Sequence, residues 1–442
     1  MPAESKNKIG TVVATAVGLG AIIGAGIFVL SGTAIALAGR NALIAFIIVG
    51  IVALMVGLEL GELGSIMPKL KGASYSYTYK AFGSELGFIT GILMYFSYAT
   101  AISAVSLGFG SYLASVLGIT GAGYAIAFAI GLIFVLALVN IMGIGKAAKV
   151  DFALVLIKIA ILITFIVFAL SIAFHMHAPL ANLTSIAASQ SGIGAIFAAS
   201  VVIFFAYSGF QSISTITKNI KGGKNAAAKA IVASIVISII IYALVVFSLM
   251  LLLPARSFTI SADPLATALK AVSAPVWIFL LVAFGAMIAT ASASLADILT
   301  SSRVLYQLGS DGLLPHAVRK YDKKRDVAIN GVIISAVIGV IMLFSGNIYI
   351  IAAISNFGLL FSYLMTSFAV IHFRKENKSP PFKTPLYPIL PIVAIIALMA
   401  FLIGLPKEAL IIGIVLIISL IIVYYSFREY DNKKVIRVRL FK

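Results

Sequence analysis

Stretches of about 20 consecutive apolar residues recur along the whole chain, each long enough to cross a ~30 Å hydrocarbon core as a helix. Twelve such spans can be marked, at 10–38, 42–66, 84–117, 123–142, 150–175, 192–218, 225–253, 274–305, 328–345, 349–373, 386–404 and 407–427. The third and eighth exceed one crossing and are expected to tilt or protrude. Composition agrees, since the chain is 62% hydrophobic and 10% charged, whereas a soluble domain carries about 25% charged residues. The expected fold class is therefore an all-α polytopic membrane protein. The first apolar run is too long for a cleavable signal peptide and lacks a small-residue cleavage site.

A net charge of +18 would suggest nucleic acid in a soluble protein, but its placement answers differently. With a cytoplasmic N-terminus, 27 of the 32 Lys and Arg residues fall on the cytoplasmic side, and only Arg40, Arg256, Lys270 and Lys407 fall outside. That asymmetry predicts both termini in the cytoplasm of a cell-membrane protein. The clusters Lys320–Arg325 and Lys433–Arg439 are topology determinants first and anionic-lipid contacts second. Cysteine is absent, which excludes disulfides and thiol chemistry. His175, His177, His316 and His372 are too scattered for a metal site. No nucleophile–base pair and no GxxxxGK[ST] loop is present, so an enzyme, an ATP-driven pump and a cofactor are not expected.

Two spans are interrupted. The first reads Gly18-Leu-Gly-Ala-Ile-Ile-Gly-Ala-Gly-Ile-Phe28 and the sixth Phe204-Phe-Ala-Tyr-Ser-Gly-Phe-Gln211, both near mid-span. Glycine is ~1 kcal/mol worse than alanine inside a helix, so these segments either unwind or serve close helix packing of the small-xxx-small type. Unwound backbone at that depth must line a cavity or be buried in protein. The breaks lie five spans apart, an odd number, which gives an inverted five-plus-five repeat (10–175 and 192–373) followed by two further helices (386–427). The whole of 1–427 is then one transmembrane domain with a basic tail at 428–442. Matching breaks in inverted halves point to a substrate site at the midplane.

An unwound first span frees a helix N-terminus at Gly24, Ala25 and Gly26, whose amides and dipole suit a carboxylate. Carbonyls near Ile22, Phe205 and Ser208 suit an ammonium group, and a ligand with both groups is an amino acid. Lys158 lies about eight residues inside the fifth span, roughly 12 Å deep. A charged lysine at a helix centre costs ~2.5–3.5 kcal/mol on insertion scales. It is read either as a proton-carrying group, since burial favours its neutral form, or as a lysine snorkelling to the interface. Glu59 and Glu62, on one helical face, and Asp297 are read either as partners of Lys158 or proton relays, or in a structural role, with Glu62 and Asp297 capping the polar cytoplasmic face near Lys69 and Arg303. The run Ala289-Thr-Ala-Ser-Ala-Ser294 offers hydroxyls for an ammonium or a cation, or else close packing.

These residues resemble the amino acid–polyamine–organocation (APC) superfamily. Ile23-Gly-Ala-Gly-Ile-Phe28 is similar to its IGxGIF, and Glu62-Leu-Gly-Ser-Ile-Met-Pro68 with Tyr75-Ser-Tyr77 and Phe82-Gly83 to its ELgxxiP…YxYxxxxFG. Phe205-Ala-Tyr-Ser-Gly-Phe210 matches its sixth-helix break, and Ser302-Arg-Val-Leu-Tyr-Gln-Leu-Gly-Ser-Asp-Gly-Leu-Leu-Pro315 its SaRxLYxxaxDGxLP. The resemblance implies the LeuT-like five-plus-five fold of 12 transmembrane helices, with helices 1 and 6 unwound. It assigns the substrate carboxylate to the amides around Ala25 and Gly26 and the amine to the carbonyls of Ile22, Phe205 and Ser208, with the Phe205 ring as a gate. It also places Lys158 where archaeal proton-coupled members carry a lysine, against the Gly20 carbonyl and Ser292. Three departures stand out: Gln211 replaces an acid, Ser97 stands where cation carriers often have glutamate, and Lys71 and Ser74 interrupt a Gly-rich loop. The expected function is proton-coupled transport of small neutral amino acids by alternating access, with amino acid, proton and lipid bilayer as partners and no nucleic acid. An uncoupled amino acid or polyamine exchanger is the nearer rival, and a channel or amino-acid-sensing receptor the more distant one.

Overall fold

In a bilayer every backbone N–H and C=O must be satisfied within the protein, which leaves helices as the natural outcome for spans of this composition. A computed structural model describes residues 9–68, 74–143, 148–175, 192–217, 220–221, 224–322, 324–376 and 380–440. The described residues are helical almost throughout. In chain order the helices are α1 (Thr11–Ile22), α2 (Gly26–Ala38), α3 (Ala42–Ile66), α4 (Ser74–Phe82), α5 (Ser84–Leu117), α6 (Ala122–Met142), α7 (Ala148–His175) and α8 (Ile193–Ile203). They continue as α9 (Gln211–Thr215), α10 (Lys224–Leu252), α11 (Pro264–Ala271), α12 (Val276–Ser310), α13 (Ile329–Met342), α14 (Ile348–Lys375), α15 (Ile389–Ile403) and α16 (Lys407–Leu440). Among the described residues, nine stretches are long and apolar enough to cross a membrane, and α1, α13 and α15 are shorter apolar helices.

The expected first span is two half-helices, because Ile23–Ala25 leave the helical path between α1 and α2. The expected sixth span is α8, a 3₁₀ turn at Phe204–Tyr207, a non-helical step at 208–210, and then α9. The expected spans 328–345 and 386–404 are shorter in the fold. Pro388 precedes the first residue of α15, where its fixed φ suits a helix start but not a helix interior. The expected third and eighth spans are α5 and α12, of 34 and 35 residues, each about 50 Å long at 1.5 Å per residue. The basic stretch after 427 continues α16 as far as Leu440.

Burial sorts these helices. The apolar window of α5 is 83% buried, whereas that of α16 is 17% buried, so α5 is central and α16 lies at the rim. Exposed Ile411, Ile414, Val415 and Ile418 line the outer face of α16, where lipid tails are as apolar as leucine and no penalty arises. One group of helices packs α1 and α3 on α10, with α2 on α8. The other packs α5 against α6, α12 and α14. α7 touches α1, α10 and α12 and so joins the two groups.

Candidate functional site

The first break follows from backbone economy. The Ile23 amide still bonds back to Leu19 at 2.6 Å, but the Gly24 amide turns to the Ile22 carbonyl at 2.7 Å, and regular bonding resumes only with Val29 to Ala25 at 2.9 Å. The first amides of α2 therefore lack the carbonyl four residues back that a continuous helix would supply. At the second break the Phe205 carbonyl accepts from the Ser208 amide at 3.1 Å and the Ser208 hydroxyl at 2.8 Å. Gly209 then takes a φ of +108°, a region open to glycine and strained for other residues.

The two breaks lie against one another. A Cβ added at Gly26 would come within 2.3 Å of the Ala206 Cα, and one added at Gly209 within 2.5 Å of the Ala21 carbonyl oxygen. Only bare backbone fits at either contact. A third element pins the pair, for the Tyr242 hydroxyl on α10 donates to the Ile22 carbonyl at 2.7 Å and to the Ala206 carbonyl at 3.0 Å. Its ring is fully buried, edge-on to Phe46 at 6.0 Å and 5.0 Å from the Tyr207 ring. Tyr207 in turn donates to the Phe46 carbonyl at 3.0 Å. Sequence reasoning missed Tyr242, although a hydroxyl at the middle of an apolar span must find a partner.

Lys158 is 3% exposed on α7. One turn away Val155 fills the space a Cβ at Gly20 would occupy, 2.4 Å distant, and Ile161 does the same at Gly285 of α12, at 2.5 Å. The lysine thus sits on the stretch of α7 that packs against both α1 and α12. On α12, the Ser292 hydroxyl donates to its own Ala289 carbonyl at 3.0 Å, which leaves its oxygen able to accept. The neighbouring Ala293 methyl faces Gly24, 3.2 Å from where a Cβ would stand. Lys158 thus lies on the helix that packs against both α1, which carries Gly20, and α12, which carries Ser292.

Ser97 is placed differently from the break. It is buried at the seam of α5 and α14, its hydroxyl 3.3 Å from that of Ser355, which donates to the Ser97 carbonyl at 2.9 Å. The neighbouring Tyr98 reaches the chain just beyond the second break, while Tyr112, further along α5, donates to the Phe28 carbonyl of α2 at 2.6 Å. The Gln211 amide nitrogen donates to the Tyr98 oxygen, and the Tyr363 hydroxyl of α14 donates to the Gln211 carbonyl oxygen. The Phe210 ring stacks on Tyr363 with centroids 5.2 Å apart. Gln211 was singled out from sequence only for the acid it replaces. Its two tyrosine partners lie over a hundred residues away on other helices.

The carboxylates separate by partner. Glu59 and Glu62 are fully buried on α3, and both reach α14. Glu59 accepts from Ser367 at 2.5 Å, and its other oxygen has no hydrogen-bond partner among the described residues. Glu62 takes Arg374 in a two-pronged ion pair at 2.5 and 2.9 Å and also accepts from the Thr384 amide at 2.6 Å. The expected neighbour Lys69 lies outside the described residues, as do Lys71 and His177. Arg303 pairs with Asp326 at 3.6 Å rather than with Asp297, which is half-buried on α12. A groove of about 320 Å³ lined by Phe82, Leu86, Met365, Phe368, Ile371, His372 and Lys375 is formed by α4, α5 and α14, none of which contains a break.

Many transporter folds contain paired broken helices, and comparison with known proteins gives the family of this chain. The model of the family described as amino acid permease matches residues 13–433. This chain belongs to the amino acid permease family. Its members are transporters, not enzymes. Over 97% of its length this permease is 26% identical to the branched-chain amino acid permease BcaP of Bacillus subtilis (strain 168), covering 94% of that protein. It is also 26% identical to the methylthioribose transporter of the same organism, over 97% of this chain and 95% of that one. An uncharacterized protein of Methanocaldococcus jannaschii is 30% identical over 82% of each chain. In this permease the IGxGIF-like stretch forms the first break, the Glu62–Pro68 stretch ends α3, and the Ser302–Pro315 stretch closes α12.

Proposed function

We propose that this permease is a secondary active transporter of small neutral amino acids, working by alternating access and coupled to protons. The observation that carries the reading is the contact between the two helix breaks at Gly26–Ala206 and Gly209–Ala21. Unpaired amides of one broken helix and carbonyls of both are thereby gathered in one place. The amides of Ala25 and Gly26 take the substrate carboxylate at the positive end of α2, and that of Gly24 joins them by leaving the Ile22 carbonyl it bonds at 2.7 Å. The carbonyls of Ile22, Phe205 and Ser208 take its ammonium, and the Phe205 ring closes over it. Since the Ile22 carbonyl already accepts from Gly24 and Tyr242, the ammonium displaces Tyr242 toward Ala206. Ser97, in the α5–α14 seam beside Tyr98 rather than at the break, brings no acid to that part of α5, which suits neutral substrates.

Lys158 carries the coupling proton between the Gly20 carbonyl and Ser292, in the place a sodium ion would otherwise occupy. Its charge and a sodium ion exclude each other there. Glu62 is committed to Arg374, so Glu59 and Asp297 are the carboxylates that remain as relays. Counting α1 with α2 and α8 with α9 as single broken spans, the chain makes twelve crossings: two inverted halves of five, then α15 and α16. The lysine and arginine distribution puts both termini on the cytoplasmic side of the cell membrane.

Uptake into proteoliposomes under an imposed pH gradient tests the reading, with branched-chain amino acids and serine as labelled substrates and methylthioribose as competitor. Symport requires uptake that collapses with the gradient and does not respond to sodium. Uptake that ignores the gradient yet requires internal amino acid replaces symport with exchange. Uptake of methylthioribose in preference to every amino acid overturns the substrate class.

A further inference from the structure

One face of α14 carries a ladder of polar contacts toward the broken-helix group. Tyr363 bonds Gln211 just beyond the second break, Ser367 bonds Glu59, and Arg374 bonds Glu62. Spacings of four and seven residues keep these side chains on one side of the helix. The last rung differs from the others in charge and in number of contacts. The Glu62 carboxylate is fully buried and receives both prongs of the guanidinium and the Thr384 amide. Fork-to-fork contacts of this type are the strong, directional form of ion pair.

A short strap of chain after α14 completes this rung. The Phe382 amide donates to the Ser65 hydroxyl at 3.3 Å, and the Phe382 ring lies 3.5 Å from where a Cβ at Gly61 would stand. The Arg374 guanidinium lies 4.8 Å from the centroid of the Tyr387 ring, a favourable cation–π distance. The contacts then run on into the bundle. Gly64 on the last turn of α3 abuts Thr217 beyond α9, and the Lys221 amide donates to the Ile9 carbonyl at the start of α1 at 2.7 Å. From α14 the fastening passes through α3 to the chain segments that lead out of both broken helices on that face.

We propose that Glu62 and Arg374 are a positioning pair for transport, a bolt that holds the α1 side of the bundle shut and must withdraw for substrate to leave there. The proposal rests on the transporter reading for its role in the cycle, but the closure itself can be measured without transport. Removing one partner of a buried pair leaves an uncompensated charge, which favours any state that lets water in. The bolted, closed state is thus destabilised relative to the opened one.

The protein has no cysteine, so a single reporter can be placed in it cleanly. Thr217 is 3% exposed, and Thr217→Cys is close to isosteric. Its labelling by a membrane-impermeant maleimide, applied from the α1 side of vesicles containing the full chain, reads how often that face opens. Glu62→Gln and Arg374→Gln are each expected to raise the labelling rate about tenfold or more, a population shift toward the open state. The double variant should label no faster than the quicker single one, because both remove the same interaction. Unchanged labelling in single variants that remain monodisperse, or additive effects in the double, overturns the bolt. Should the single variants not fold, a Ser65→Cys and Phe382→Cys pair oxidised to a disulfide pins the strap in place. Thr217→Cys in that background should then lose its labelling and recover it with reductant, and labelling unaffected by oxidation overturns the proposal. Failure of uptake with labelling as expected would count against the transport reading and leave the bolt standing.

Discussion

Tyr242 offers a single hydroxyl proton to two carbonyls, those of Ile22 at 2.7 Å and Ala206 at 3.0 Å, one on each broken helix. One proton cannot fully satisfy both acceptors at once. The arrangement therefore couples the two helices and leaves one lone pair within reach of an incoming donor. Tyr242→Phe keeps the ring among Phe46 and Tyr207 and removes only the bond. A neutral hydrogen bond of this kind contributes about 0.5–1.5 kcal/mol, so thermal stability should change little, while KM should rise several-fold. Uptake kinetics beside a thermal-shift assay checks this, and unaltered KM would show the hydroxyl to be irrelevant to the site.

Gly26→Ala should be the more damaging change. Its methyl would stand 2.3 Å from the Ala206 Cα, and backbone cannot swing aside as a flexible side chain can. Overpacking of this sort costs about 1–3 kcal/mol, and here it would also part the two breaks. Loss of substrate-dependent stabilisation is expected in a thermal-shift titration. Gly131→Ala on α6, with nothing within 4 Å of the added methyl, serves as the control and should be neutral.

Lys158→Ala is expected to leave the protein folded but to abolish uptake or free it from the pH gradient. Insertion of a neutral side chain into the bilayer is favourable relative to lysine, so lost expression is not the anticipated outcome. Wild-type pH dependence in counterflow and gradient-driven uptake would remove the lysine from the coupling scheme.

A fourth expectation concerns the loop that follows α10. Burial raises the Asp263 carboxyl above its ordinary value, a shift opposed by a hydrogen bond from Ser115 and the charge of Lys270. A raised carboxyl binds its proton more tightly when folded. Its contribution is therefore fully present below the unfolded value near 3.8 and is lost as pH climbs through the folded one. Asp263→Asn should accordingly raise the melting temperature at neutral pH, with the gain shrinking as the sample is acidified toward pH 4. A gain that instead grows on acidification would reverse the assignment.

Much of this could be read from the chain alone because lipid is an uncompromising solvent. Apolar runs mark the helices, and glycine clusters at mid-span mark where α1 gives way to α2. The shorter α13 and α15 were less legible, since their ends depend on packing and, for α15, on Pro388 rather than on hydropathy. Lys158 stood out as a charge in an apolar run, whereas Tyr98, Tyr242 and Tyr363 did not, because a tyrosine in such a run reads equally well as core. Glu62 was visible as an acid at the cytoplasmic end of an apolar span, but its partner lies 312 residues away. Charge pairing at that separation is a property of the folded bundle and not of any local pattern.

The crossing of Gly26 over Ala206 and of Gly209 over Ala21 has a mechanical meaning. Two rods leaning on each other at two points form a single joint with no slack, and neither can pivot without carrying the other. Under the proposed function, a substrate wedged into that joint would meet both halves of the chain at once, and the bundle would register its arrival as one event.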